Sequence, residues 1–167
     1  IWSSCDQSGS RSSSEGQLRI NFVLSSRTDA ELAVMRNLCP DLQPNEFNSG
    51  PECWILQTYI RLSGLGLTAQ LSNHCVPSAV NICFNSELRN GLRCENCFII
   101  GVRADYPSVK KANLQIVQNK AQIGEDSFWL PLWPQSGILK RSRLGKPHHV
   151  RRVAYFGRNV NHYTLIL

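Results

Sequence analysis

The sequence predicts a single α/β domain built on an open, mostly parallel sheet flanked by helices. Three observations carry that expectation. The chain has 167 residues, 42% hydrophobic and 18% charged, which suits one ordinary core. Compact β-branched and aromatic runs recur along it at short intervals. One well-capped amphipathic helix stands between the first of these runs and the others, the order in which an open α/β sheet begins.

Taken in order, residues 1–16 form a Ser/Gly-rich tail without periodicity, expected to be disordered. The chain lacks an initiator methionine, so it reads as a fragment, a processed product or a non-standard start. Leu18–Leu24 (LRINFVL) reads as a buried strand. Asp29–Leu38 has apolar Leu32, Val34, Met35 and Leu38, a short helix ending before Pro40. Pro51–Leu62 is the clearest element. Proline opens the first turn, Glu52 meets the positive end of the dipole, and Ile55, Leu56, Tyr59, Ile60 and Leu62 repeat at helical spacing. Gly64 and Gly66 are expected to stop it. Leu67–Leu71, Ala79–Phe84, Cys97–Val102, Leu114–Val117, Phe128–Leu132 and Val153–Phe156 read as further short strands, with no second long helix.

Charge is localised. Lys140, Arg141, Arg143, Lys146, Arg151 and Arg152 place six positive charges in an acid-free stretch, residues 140–152, and account for the whole net charge of +6. A nucleic-acid binder spreads its basic residues over a face or a helix and interleaves aromatics for stacking, so nucleic acid is not the expected partner. The segment reads as a solvated linker. No run approaches the length of a membrane span and the amino end is not basic-then-apolar, so the chain is expected in the cytoplasm. The seven cysteines are an odd count, several of them inside apolar runs, and reduced buried thiols account for them best. A zinc site from Cys94, Cys97, His74 and Cys75 lacks a second spaced pair. No metal site is assigned.

In an open α/β sheet the ligand crevice lies beyond the carboxyl ends of the strands. Three groups fall there. Gly50 lets backbone approach a ligand at the start of the helix, and Glu52 beside it would repel a phosphate. Arg103 and Asp105 follow a strand and are either an ion pair closing a turn or a base with its charge partner. Gln118 and Asn119 suit hydrogen bonding to a polyol or to loop backbone. Dinucleotide, P-loop and hydrolase-elbow motifs are missing.

Several strings then resemble, in order, a group of bacterial glycosyltransferases of the GT-B type: Glu31-Leu32-Ala33-Val34-Met35-Arg36, Pro44-Asn45-Glu46, Gly50-Pro51-Glu52-Cys53-Trp54-Ile55-Leu56-Gln57-Thr58-Tyr59, Gly101-Val102-Arg103-Ala104-Asp105, Ile116-Val117-Gln118-Asn119, Trp133-Pro134-Gln135-Ser136-Gly137 and Ala154-Tyr155-Phe156-Gly157-Arg158. The pattern departs at Lys120, where the group has histidine, and at Ser136, where it has proline. The resemblance implies a Rossmann-like amino-terminal GT-B domain over residues 17–139, an interdomain linker over 140–152, and the start of a truncated donor domain over 153–167. It further implies a nucleotide-sugar donor as co-substrate, no bound cofactor, and a small-molecule acceptor. Asp105 is the candidate catalytic base, with Gly50, Glu52, Arg103, Gln118 and Asn119 as candidate substrate-binding residues. Half of a two-domain cleft cannot enclose a donor or exclude water, so the fragment is expected to be inactive alone. The alternative is a non-catalytic α/β interaction module whose basic tail meets an anionic partner.

Overall fold

The computed structural model describes residues 18–104 and 106–133. Six strands, β1 (Ile20–Val23), β2 (Gln70–Ser72), β3 (Val80–Phe84), β4 (Phe98–Ala104), β5 (Leu114–Val117) and β6 (Ser127–Trp129), form one sheet in the order β2-β1-β3-β4-β5-β6. Every pairing is parallel. This is the expected α/β, Rossmann-like architecture, a parallel sheet flanked by helices. Because all strands run one way, every loop leaving a strand emerges on the same edge.

The helices follow from local sequence. Asp29–Met35 (α1) is preceded by Thr28, whose hydroxyl oxygen accepts from the Glu31 N–H while the Glu31 carboxylate accepts from the Thr28 N–H, a reciprocal capping box. Pro51, at φ −57° and ψ −47°, leads into a π-helical turn, Glu52–Leu56, that runs directly into Gln57–Gly64 (α2). Gly64 is the last residue of α2 and Gly66, at φ +88°, makes the left-handed exit, so the two glycines stop the helix as expected. The 3₁₀ turns Pro44–Glu46 and Lys120–Gln122 and the five-residue helix Asn85–Arg89 (α3) complete the set.

Alternate residues of the strands feed two cores. On one face Phe22, Leu24, Leu71, Phe84, Val102 and Ile116 pack under Leu32 of α1 and Trp54, Ile55 and Leu56 of the π turn. On the other, Val23, Cys83 and Ile99 meet Leu88 of α3 and the irregular stretches around Cys75 and Cys94. This second face is covered mainly by loop, and a buried loop needs partners for its backbone polar groups. Two asparagines supply them. Asn21 and Asn81, in register on β1 and β3 and both fully buried, bond to one another at 2.8 Å. Asn21 Nδ2 then donates to the His74 carbonyl at 3.0 Å. Asn81 donates to the Val76 and Ala79 carbonyls at 3.0 Å each and accepts from the Val76 N–H at 2.8 Å. The short connection from β2 to β3 is thereby held against the sheet without a helix.

A covalent tie fastens the same layer: Cys75 and Cys94 form a disulfide, their Cα atoms 5.5 Å apart. The expectation of uniformly reduced thiols is therefore corrected. Each of these residues lies in an apolar layer, which spacing along the chain could not pair with its partner; Cys39, Cys53, Cys83 and Cys97 are free. After β6 the chain returns to α2, where Trp133 donates its indole N–H to Thr58 Oγ1 at 2.9 Å and lies under the Arg61 guanidinium. The tail, the basic segment 140–152 and the strand expected at Val153–Phe156 lie outside the described residues.

The Cys75–Cys94 bond closes a loop with a sequence separation of 19. Replacing both cysteines by alanine is expected to lower unfolding free energy by about 3 kcal/mol, from the loop-closure entropy returned to the unfolded chain. Urea unfolding of the wild type under oxidising and reducing conditions should reproduce that difference, and superimposable curves would contradict it.

Candidate functional site

The strand order reverses at β1, which has β2 on one side and β3 on the other. Connections leaving the carboxyl ends of β1 and β3 diverge there and open a crevice, the place where ligands enter sheets of this order. Residues 24–27 leave β1 and Asn85–Glu87 leave β3, so the crevice is built from Ser25, Arg27, Asn85 and Glu87. The loop ahead of the π turn comes down on it. A Cβ placed on Gly50 would lie 2.6 Å from Cζ of the buried Phe84 ring, so only glycine lets the loop touch the end of β3.

Two carboxylates are sunk into this edge. Glu52, 4% exposed, receives Arg27 Nη2 on Oε1 at 2.6 Å, while its Oε2 is buried without a partner among the described residues. The Arg27 guanidinium is held above its ordinary pKa, chiefly by its hydrogen bond to Glu52, against the opposing cost of burial. Glu87, also 4% exposed, accepts from the Ser25 N–H at 2.8 Å and from the Ser25 hydroxyl through the same oxygen. Asn85 is fully buried. Its amide donates to the Pro107 carbonyl at 2.8 Å, and its Oδ1 is left without a partner among the described residues. Nearby, burial and, secondarily, Glu87 push the Cys83 thiol up to about 12, so it is no nucleophile.

The sequence-derived candidates divide. Gly50 and Glu52 meet at the β1/β3 crevice. Arg103 lies in the last turn of β4, where Ala104 takes a left-handed φ of +48° beside a register shift against β5, and Arg103 Nε donates to the Tyr106 carbonyl at 2.5 Å. Asp105 lies outside the described residues. Gln118 and Asn119 follow β5, two strands further along the same edge. The Gln118 carbonyl accepts from the Trp129 indole at 2.9 Å, and Asn119 Oδ1 caps the next turn by accepting from Ala121 N–H at 2.9 Å. The Asn119 side chain is thus engaged by its own loop, and at Gln118 it is the main-chain carbonyl that is engaged. Ser25, Arg27, Asn85 and Glu87 were not singled out in the sequence. The signal for the first pair was Thr28-x-x-Glu31, a capping box that fixes where β1 ends; for the second it was a polar Asn-Ser-Glu run following an apolar strand.

A cavity of about 330 Å³ opens on this edge, lined by Arg27, Glu31, Met35, Glu46 and Glu52 among others. A second, of about 380 Å³, lies between Leu18–Ile20 and Thr68–Gln70 at the amino-terminal ends of β1 and β2. Chemistry favours the former, because the second carries only one ionisable side chain, Arg19, and opens away from the loops that diverge at the strand reversal. Among the described residues no group of three or more His, Cys, Asp or Glu side chains could hold a metal ion.

Gly50→Ala is expected to cost about 1–3 kcal/mol by forcing the Phe84 ring to shift in a filled core. Urea unfolding measures this, and a loss under about 0.5 kcal/mol would mean the loop does not rest on β3 as described. No family model, no curated protein and no solved structure matches the chain, and the functional reading rests on the chemistry of this crevice.

Proposed function

We propose that the chain is the acceptor-side lobe of a GT-B-like glycosyltransferase, which transfers a sugar from a nucleotide-activated donor to a small hydroxylated acceptor. One observation carries the reading. The cavity near the strand reversal is lined by the carboxylates Glu31, Glu46 and Glu52, and Glu52 Oε2 is a buried acceptor oxygen unpartnered among the described residues. Oxygens of this kind suit the hydroxyl donors of a saccharide and repel the phosphates of a nucleotide. The donor half of the cleft then belongs to a second α/β lobe, linked through the basic segment 140–152.

On this reading Asp105, immediately after β4, is the general base. It takes the proton of an acceptor hydroxyl as that oxygen bonds to the anomeric carbon, and the bond from that carbon to the nucleotide's phosphate oxygen breaks. Gly50, Glu52 and Arg103 orient the acceptor from the ends of the neighbouring strands, with Gln118 and Asn119 at the outer limit of the site. This reading puts the chain in the cytoplasm.

The test is a nuclear magnetic resonance titration of the 167-residue chain together with a donor-consumption assay. Saccharides are expected to shift resonances of Arg27, Glu52 and Asn85, nucleotide sugars to leave them unmoved, and donor turnover to be negligible without the second lobe. Nucleotide sugars binding at this edge while saccharides do not, or turnover by the lone chain, would overturn the proposal. Salt-sensitive DNA binding with no saccharide response would favour the interaction module.

A further inference from the structure

Four cysteines gather on the loop-covered face of the sheet: Cys75, Cys83, Cys94 and Cys97 all belong to its apolar cluster. Cys75 and Cys94 are bonded to each other. Cys97 stands one residue before β4 and two before the buried Ile99, so strand alternation sets it on the same face as that bond. Between Cys94 and Cys97 the chain turns at Glu95 and Asn96, the latter at φ +55°, a left-handed value that asparagine adopts more readily than most residues. A turn holds its first and last Cα atoms within about 7 Å, and a disulfide spans about 4.4–6.8 Å, so Cys94 and Cys97 are spaced to be bridged. The Cys97 thiol leans back over the turn and donates to the Glu95 carbonyl at 3.4 Å.

The four differ in access and acidity. Cys75 is 9% exposed, whereas Cys94 and Cys97 are half-buried, and Cys94 lines a cavity of about 340 Å³ with Arg93, Glu95 and Lys111. Cys83 is buried with its thiol pushed up to about 12, chiefly by desolvation, and stays protonated. Cys97 is therefore the thiol placed to attack, and Cys94 the bonded sulfur that is easier to reach.

We infer that Cys75, Cys94 and Cys97 form a thiol–disulfide exchange site in which Cys97 competes with Cys75 for Cys94. The Cys97 thiol gives its proton to water and the thiolate attacks Cys94 Sγ. The Cys94–Cys97 bond forms as the Cys75–Cys94 bond breaks, and Cys75 leaves as a thiolate that takes a proton from water. One disulfide replaces another, so neither an oxidant nor a reductant is consumed. The exchange switches how the β2–β3 connection is held. With Cys94 bonded to Cys97, that connection loses its covalent tie to the stretch before β4 and keeps the hydrogen bonds made to it by Asn21, Ser72 and Asn81.

The experiment maps disulfides in the full 167-residue chain, equilibrated with reduced and oxidised glutathione near the ordinary thiol pKa of about 8.5, quenched with acid and labelled with N-ethylmaleimide. Trypsin cuts after Arg61, Arg89, Arg93 and Arg103, so a Cys94–Cys97 bond falls inside the single peptide 94–103, whereas a Cys75–Cys94 bond joins that peptide to 62–89. The wild type is expected to carry the internally bridged 94–103 peptide, with Cys75 labelled, in at least about one bonded chain in ten. Amide exchange across residues 73–79 should quicken several-fold in that population. Cys97→Ser should yield the linked peptides alone, and Cys75→Ser should still close Cys94 to Cys97. Recovery of Cys97 only as a thiol or as its glutathione adduct in every wild-type digest would overturn the inference, as would fragment ions joining it to Cys75 in place of Cys94. The wild-type digest decides the matter even where a substitution fails to fold.

Discussion

The ion pair between Arg27 and Glu52 is the constraint on which the carboxyl edge depends. Arg27 ends the chain's exit from β1, the central strand of the reversal, and Glu52 opens the π turn that carries the main helix. At 2.6 Å, with Glu52 almost wholly buried, the pair fixes how the loop ahead of the helix descends onto β1 and β3. Gly50 then touches Phe84, and Arg27 and Glu52 themselves line the cavity. Arg27 is one-third exposed, so water screens the pair and its worth lies below that of a fully buried one. Its structural effect is larger than its energy, because it decides which oxygen of Glu52 is satisfied and which is buried without a partner among the described residues.

A second constraint works on the opposite face. The β2–β3 connection must pass over β1 and has only a few residues in which to do so. No helix fits. Asn21, Asn81 and Ser72 satisfy the backbone of that connection from within the sheet, and the Cys75–Cys94 bond fastens it to the stretch before β4. One face is therefore held by helix packing and the other by side-chain hydrogen bonds and a covalent tie. The two faces can respond independently to mutation.

How much of this was legible in the sequence differs by level. Apolar runs gave the strands, because burial on both faces demands continuous hydrophobic stretches, and Leu114–Val117 matches β5 residue for residue. Pro51 and the apolar spacing after it gave the main helix, but its π turn left no mark, since periodicity averages over a single wide turn. The pairing of Cys75 with Cys94 and the partnership of Asn21 with Asn81 depend on sheet register, which no local pattern encodes. At the site, Gly50 and Glu52 were visible because they open a helix. Arg27 and Glu87 were not, because a single charge after a strand looks like any solvated loop residue until the fold buries it.

The central claim, that Arg27 and Glu52 act together to organise the binding edge, is tested most directly by a double-mutant cycle measuring unfolding free energy for Arg27→Met, Glu52→Gln and the pair. The account predicts non-additivity of about 1–2 kcal/mol, with the double variant losing less than the sum of the singles because each single change strands the other's polar group. Additive effects, within about 0.5 kcal/mol, would contradict it.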